Sequence, residues 1–342
     1  MGISRRFDKP LFSVLEEATP EKNGKSGIFC SAEDFMSEVL TFDKIVLWIK
    51  LSRPPFHLVG ICPFILGTLT AWKLEGLFST PVFVLGIIAV ILIMLSTYHA
   101  GEYFDRMGDA ISFKEHQNPF AGGSRVLHAT EMSAKVPLWT SVISILAAAG
   151  IGIYLQYGLG TGPYTIFLGA LGLFPGFFYS TKPIRLVEKG IGEIFIGFCY
   201  GWLPIASAYY IQTGRLAPVI HWMGIAVGFT IFNVILLNEF PDYHADKTSG
   251  KRNLLVRLGV ERGALVFSAA CVLTWVAVLF SFSMGVSLKA LYVFLPVMAL
   301  SAVIILMVMK KRYENKKTLE VLCGLNIAIN IGTTLSYIVA YI

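Results

Sequence analysis

Two acidic strings in this chain share one spacing. The first is Glu102-Tyr-Phe-Asp105-Arg-Met-Gly-Asp109 and the second is Glu239-Phe-Pro-Asp242-Tyr-His-Ala-Asp246. Both read E-x-x-D-x-x-x-D, and matching acids lie 137 residues apart. On a helix, offsets of three and four put side chains on one face, about 5–6 Å apart at Cβ. Three carboxylates that close repel one another unless a cation sits among them. Oxygen-rich clusters suit Mg²⁺, which keeps part of its water shell and shares itself with phosphate oxygens. The spacing therefore predicts two Mg²⁺-diphosphate clamps. The bland alternative is that the carboxylates end helices in water or pair with Arg106 and Lys247. Two strings of identical spacing, each at the end of an apolar stretch, weigh against it.

Polar loops with cations follow. The first is Asn118-Pro-Phe-Ala-Gly-Gly-Ser-Arg125, the second is Lys247-Thr-Ser-Gly-Lys-Arg-Asn253, and a third reads Tyr179-Ser-Thr-Lys182-Pro-Ile-Arg185. Glycines let backbone N–H groups approach an anion, and Arg or Lys neutralises it. Taken singly, each loop is explained by an ordinary basic surface. Beside a metal cluster, a cradle for diphosphate is the better reading, with Lys182 holding the leaving group. The six histidines are scattered without an H-x-x-x-H pair, and the five cysteines include no C-x-x-C. Neither a zinc site nor a disulfide framework is expected.

These residues must be positioned by helices in a membrane. Of 342 residues, 55% are hydrophobic and 15% charged, against about 25% charged in soluble domains. Long unbroken apolar runs imply an all-α membrane protein, not a barrel. Nine spans of near-bilayer length are expected, at roughly 55–72, 82–104, 136–156, 163–180, 191–211, 217–238, 263–282, 288–309 and 321–341. The segment before span one and the loops after spans two, four, six and eight then hold 25 of the 28 Lys and Arg residues. Basic residues mark cytoplasmic loops. The N-terminus is thus expected in the cytoplasm and the C-terminus outside, with both acidic strings at the cytoplasmic ends of spans two and six. Residues 1–43 read as a polar cytoplasmic extension, flexible over residues 1–30. An amphipathic helix over 31–50 follows, and residues 44–342 form the membrane domain. Glu16, Glu17 and Glu21 with no apolar h-region argue against a signal or transit peptide.

The acidic strings resemble the UbiA superfamily of intramembrane aromatic prenyltransferases. Asn238-x-x-x-Asp242-x-x-x-Asp246 matches that family's N-x-x-x-D-x-x-x-D pattern in full. The first string matches at Asp105 and Asp109, but Gly101 stands at the Asn position, with Glu102 beside it. Ser52-Arg-Pro-Pro-Phe56, the Asn118–Arg125 and Tyr179–Arg185 loops, Gly190-Ile-Gly-Glu193 and Gly250-Lys-Arg252 are similar to the 1,4-dihydroxy-2-naphthoate branch, the menaquinone-pathway enzymes. The resemblance covers about residues 45–342.

What it implies is a nine-helix UbiA-like bundle with a catalytic cap on the cytoplasmic side, in a prokaryotic cytoplasmic membrane. The activity implied is Mg²⁺-dependent transfer of a polyprenyl group from a polyprenyl diphosphate to an aromatic ring in quinone biosynthesis. Two Mg²⁺ ions would be bound by Asp105, Asp109, Asn238, Asp242 and Asp246. Glu102 and Glu239 would support them. Asn118, Arg125, Lys182 and Lys247 would take the diphosphate, and Tyr179 would shield the allylic cation. Arg53 or Arg185 would hold an acceptor carboxylate, which leaves as carbon dioxide. No nucleic-acid partner is expected. A different reading of the same acids is a cation-coupled transporter with two related halves, for which the glycine-rich fifth span is the candidate broken helix. A third is a phospholipid-type transferase with a nucleotide-linked donor, which the second clamp and Asn238 fit less well.

Overall fold

The computed structural model describes residues 42–115, 118–120 and 123–342. Among these every regular element is helical. The expected extension over 1–30 and the first part of the expected 31–50 helix lie outside the described residues. The rest of that helix is present as α1, Phe42–Leu51.

Eight helices are long and apolar enough to cross a bilayer. They are α2 (Pro54–Glu75), α3 (Thr80–Phe104), α6 (Lys135–Gly158), α8 (Gly192–Thr213), α9 (Pro218–Asn238), α12 (Val260–Ser283), α13 (Lys289–Met309) and α14 (Lys316–Ala340). A ninth apolar helix, α7 (Thr165–Phe178), has only 14 residues. Short helices sit between them: α4 (Arg106–Glu115), α5 (Val126–Ala129), α10 (Tyr243–Thr248) and α11 (Leu254–Leu258). Pro opens α2, α3 and α9 in the first turn. There its missing N–H would have no intrahelical partner, and its fixed φ suits the helix.

Helix α3 packs on α6, α9 on α12, and α13 on α14, while α14 closes back on both α9 and α2. Helices α8 and α9 are the most buried of the long spans. Their crossing is close because it is made by glycine. A Cβ on Gly201 would stand 2.3 Å from Gly228 Cα, and one on Gly197 would stand 2.9 Å from the Gly228 carbonyl oxygen. In a bilayer, where lipid is as apolar as the side chains, such small-residue contacts are a main source of helix association. The fully buried Leu66, Tyr209, Ile220, Met223 and Tyr337 tie α2, α8, α9 and α14 into one core.

Candidate active site

Both acidic strings interrupt their helices. Helix α3 ends at Phe104, Asp105 caps it, and α4 carries Asp109 in its first turn. Helix α9 ends at Asn238, Asp242 precedes α10, and Asp246 lies in the first turn of α10. Pro241, which lacks an N–H, falls in the turn between them. The expected single helical face therefore holds only for the second half of each string. There it holds twice: the Asp109 N–H donates to the Asp105 carbonyl at 3.0 Å, and the Asp246 N–H to the Asp242 carbonyl at 2.8 Å. Helices α4 and α10 pack on each other, with Gly108 facing Ser249. Acids from the two halves of the chain thus meet.

They meet on a cavity of about 220 Å³. The first string contributes Gly101, Glu102, Asp105 and Asp109, and the second contributes Asn238, Glu239, Asp242 and Asp246. Lys251, Arg53 and Tyr179 complete its charged and polar wall. Asp105 accepts from the Ser180 hydroxyl and from Arg185 Nη2 at 2.8 Å. Asp246 accepts from Asn253 Nδ2 at 2.7 Å and lies 3.3 Å from Lys251 Nζ. Glu102 accepts from the Ser124 hydroxyl at 2.8 Å, and Arg53 Nη2 stands 3.4 Å away. Gly123 lets the loop close over this point. At φ +66° it has a backbone L-residues rarely adopt, and a Cβ there would sit 2.5 Å from Asp109 Oδ2.

Crowding sets the electrostatics. Burial first, then Asp105 and Glu102, push Asp109 up to about 8, with Lys251 and Arg53 opposing. Burial raises Asp246 against the pull of Lys251. Burial, followed by the neighbouring Glu193 carboxyl, raises Glu239 well above the usual range. Burial works against the charge on Lys251, but Asp246, Asp105 and Asp109 outweigh it and hold its ammonium well above the ordinary lysine value.

Among the described residues, no three His, Cys, Asp or Glu groups stand together as a finished metal cage. Two features of the donor set nevertheless fit a hard divalent cation. Asn238 Oδ1 is buried on the cavity wall with no hydrogen-bond partner, and the Asp109 carboxylate is destabilised by its acidic neighbours. Oxygen ligation by a cation relieves both.

Three non-glycine residues near the site hold left-handed backbone: Arg53 at φ 48°, Arg125 at 65° and Arg185 at 46°. Each such residue costs on the order of 1–3 kcal/mol, and strain of this kind clusters at functional sites. Arg53 opens onto the cavity. Arg185 is committed to Asp105 and, through Nε at 2.9 Å, to Glu188. Arg125 donates to the Asn118 carbonyl at 2.6 Å, and Asn118 itself is buried with its Oδ1 accepting from the Phe120 N–H. Lys182 and Lys247 are exposed and lie outside the cavity wall. The Lys247 ammonium sits over the Tyr243 ring. The lysine on the cavity wall is Lys251, four residues beyond Lys247. Sequence reasoning passed it over because a basic loop offers several equivalent lysines. Ser180 and Asn253 were missed as well, being common polar residues whose sequence positions carry no signal.

A second cavity, about 360 Å³ and almost wholly apolar, lies between α2, α3, α6, α7 and α8. Gly172 and Ile93 line it, and it shares Thr97 and Tyr200 with the first. The polar site thus abuts an apolar chamber within the membrane helices.

The family model described as the UbiA prenyltransferase family matches residues 61–329. A 2-carboxy-1,4-naphthoquinone phytyltransferase from Synechocystis is 25% identical, the match covering 66% of this chain and 70% of that one. A 1,4-dihydroxy-2-naphthoate octaprenyltransferase from Escherichia coli is 25% identical over 62% of this chain and 68% of its own. Among solved structures, a UbiA homolog from Archaeoglobus fulgidus bound to GPP and Mg²⁺ superimposes with a TM-score of 0.61 at 16% identity, covering 85% of this chain and 99% of that one. Another, from Aeropyrum pernix, gives a TM-score of 0.62 at 14% identity, covering 83% and 97%.

Proposed function

This chain belongs to the UbiA prenyltransferase family and is a membrane-embedded prenyltransferase, and we propose that it joins a polyprenyl diphosphate to 1,4-dihydroxy-2-naphthoate or a closely related ring. The observation that carries the reading is the convergence of both acidic strings and Lys251 on one polar cavity that abuts an apolar one. The diphosphate head takes the first and the prenyl tail the second.

Asp105, Asp109, Asn238, Asp242 and Asp246 would hold two Mg²⁺ ions, which neutralise diphosphate charge when bound. Lys251 meets the negative charge that grows as the allylic C–O bond breaks and its electron pair departs with diphosphate. Exposed Lys182 and Lys247 add to the positive field that draws the donor in. Tyr98, Tyr179 and Tyr200 line the cavity and supply the aromatic rings that would shield the allylic cation. An electron-rich ring carbon of the acceptor then forms the new C–C bond. Where that carbon carries a carboxylate, carbon dioxide leaves and its bonding pair restores the aromatic ring. Arg53 suits that carboxylate better than Arg185, because Arg185 is already engaged by two acids while Arg53 makes a single longer contact. A transporter would instead need its acids near the midplane, and here they gather where α3 and α9 end.

The reading includes nine crossings and a cytoplasmic site. Helix α7, at 14 residues, spans roughly 21 Å at the α-helical rise, and exposed Tyr164 before its first turn extends it as an interfacial anchor. Its inclusion keeps the basic loops on one side.

The test is incubation of the purified protein with geranylgeranyl diphosphate, Mg²⁺ and a panel of aromatic acids. A prenylated naphthol product formed with loss of carbon dioxide is expected. Asp105→Asn and Asp242→Asn should each lower turnover by a few orders of magnitude. Their double variant should be scarcely worse than either, since groups acting as one unit are non-additive. Full activity after chelation of divalent metal would overturn the proposal.

A further inference from the structure

Glu193 has 0% of its surface exposed and lies in the first turn of α8, yet it is not on the cavity wall. Its Oε1 accepts from the Leu254 backbone N–H at 2.9 Å. The next N–H along, that of Leu255, points to Glu239 Oε2 at 3.4 Å. Two buried carboxyl groups from α8 and the end of α9 therefore take successive N–H groups at the start of α11. A hydrogen bond from a backbone donor is a directional tie, and a carboxyl is costly to bury without one.

What these ties secure is the short segment before α11. Asn253 caps that helix, accepting from the Val256 N–H at 2.8 Å, and its Nδ2 reaches Asp246. Two residues earlier, Lys251 donates its backbone N–H to the Asp246 carbonyl at 2.9 Å and sends its ammonium into the cavity. On the outer side, exposed Arg257 links the same stretch to the Glu188 carbonyl at 3.0 Å. That tie is solvated and worth less. Glu193 is thus the buried anchor of a segment whose one cavity-lining side chain is Lys251.

We propose that Glu193 is a positioning residue for the diphosphate: it fixes residues 251–254 and through them sets Lys251 where the anion binds. The inference rests on the prenyltransferase site assignment above, and the experiment separates the two. The readout is the Mg²⁺-diphosphate concentration that half-saturates thermal stabilisation of the full-length protein, with inorganic diphosphate as probe. Wild type should be stabilised and Lys251→Met should bind more weakly. If wild type shows no stabilisation, the assignment of the site fails first.

Glu193→Asp, one methylene short of the Leu254 N–H, should weaken diphosphate binding about tenfold, as loss of one buried hydrogen bond implies. Glu193→Gln keeps an acceptor oxygen and should stay within about threefold. Combined with Lys251→Met, Glu193→Asp should add almost nothing, since its effect passes through Lys251. A second route leaves Glu193 intact. Leu254 is the first residue of α11, a position that tolerates proline, so Leu254→Pro deletes the donor while keeping the helix and an apolar ring at a partly buried position, and it should reproduce the Glu193→Asp loss. The proposal is overturned if Leu254→Pro or Glu193→Asp binds diphosphate as wild type does. It is also overturned if the loss persists in full on the Lys251→Met background, or if Gln is as harmful as Asp.

Discussion

Gly172→Leu should convert this enzyme into one that refuses long prenyl tails. Gly172 is buried on α7 and lines the apolar cavity. A Cβ there would lie 3.2 Å from Leu203 Cδ2 and 4.0 Å from Ile93 Cδ1, two residues that also line the cavity. A leucine therefore projects into the chamber. The close approach to Leu203 involves the end of a flexible side chain and costs about 1 kcal/mol, the low end for overpacking. Replacing glycine in a helix interior returns about 0.8–1 kcal/mol, so folding stability should change little. Substrate binding should change selectively. A prenyl tail comes to the cavity from lipid, which is as apolar as the cavity wall. Discrimination then rests on fit, not on transfer from water. A tail that must overpack against the new side chain loses roughly 1–3 kcal/mol, which is about 5- to 150-fold in kcat/KM. A tail too short to reach Gly172 loses nothing. The assay is competition between geranyl and geranylgeranyl diphosphate with one acceptor, scored by product ratio. The short-to-long ratio should rise at least fivefold, with the melting temperature close to wild type. An unchanged ratio in a well-folded variant would mean that the tail runs elsewhere, for instance directly into lipid.

Gly101 stands where the family pattern has Asn, and a Cβ there meets only Ser180 Oγ, at 3.8 Å. Gly101→Asn should keep or raise activity and tighten apparent Mg²⁺ affinity; a loss of about a hundredfold, measured by Mg²⁺ titration of turnover, would contradict the open space seen on that face. Asp109 carries its proton up to about 8 in the folded chain against 3.8 ordinarily, so the native state binds more protons than the unfolded one across that window, and stability without metal should fall as pH rises through it. In chelator, Asp109→Asn should flatten that slope and melt above wild type at pH 9, with the two converging near pH 4; parallel melting curves at all pH values would refute the crowding. Cysteines placed at exposed Arg252 and Lys316 should label from the cytoplasmic side, and one at Gly160 from the other. Labelling of Gly160 and Arg252 from the same side would remove the nine-span reading.

Much of this protein was legible in its sequence, because bilayer chemistry restricts what apolar runs can become. Eight expected spans reappear as long apolar helices within a few residues of their expected limits, since a backbone without water must satisfy its hydrogen bonds within the helix. The two acidic strings were equally visible, their spacing being a local property of the chain. How those strings are used was not local. Asp105 and Pro241 break the helices that the spacing alone would have continued, and the last acid of each string turns inward because its own short helix packs on the other's. The choice of Lys251 over Lys247 depends on Asn253, Glu193 and Glu239, which approach from three separate segments. Ser180 and Arg185 reach Asp105 across 75 residues or more of sequence. No periodicity encodes such pairings. They follow from which helices pack together, and at the α8–α9 crossing that was decided by three glycines small enough to let two backbones touch.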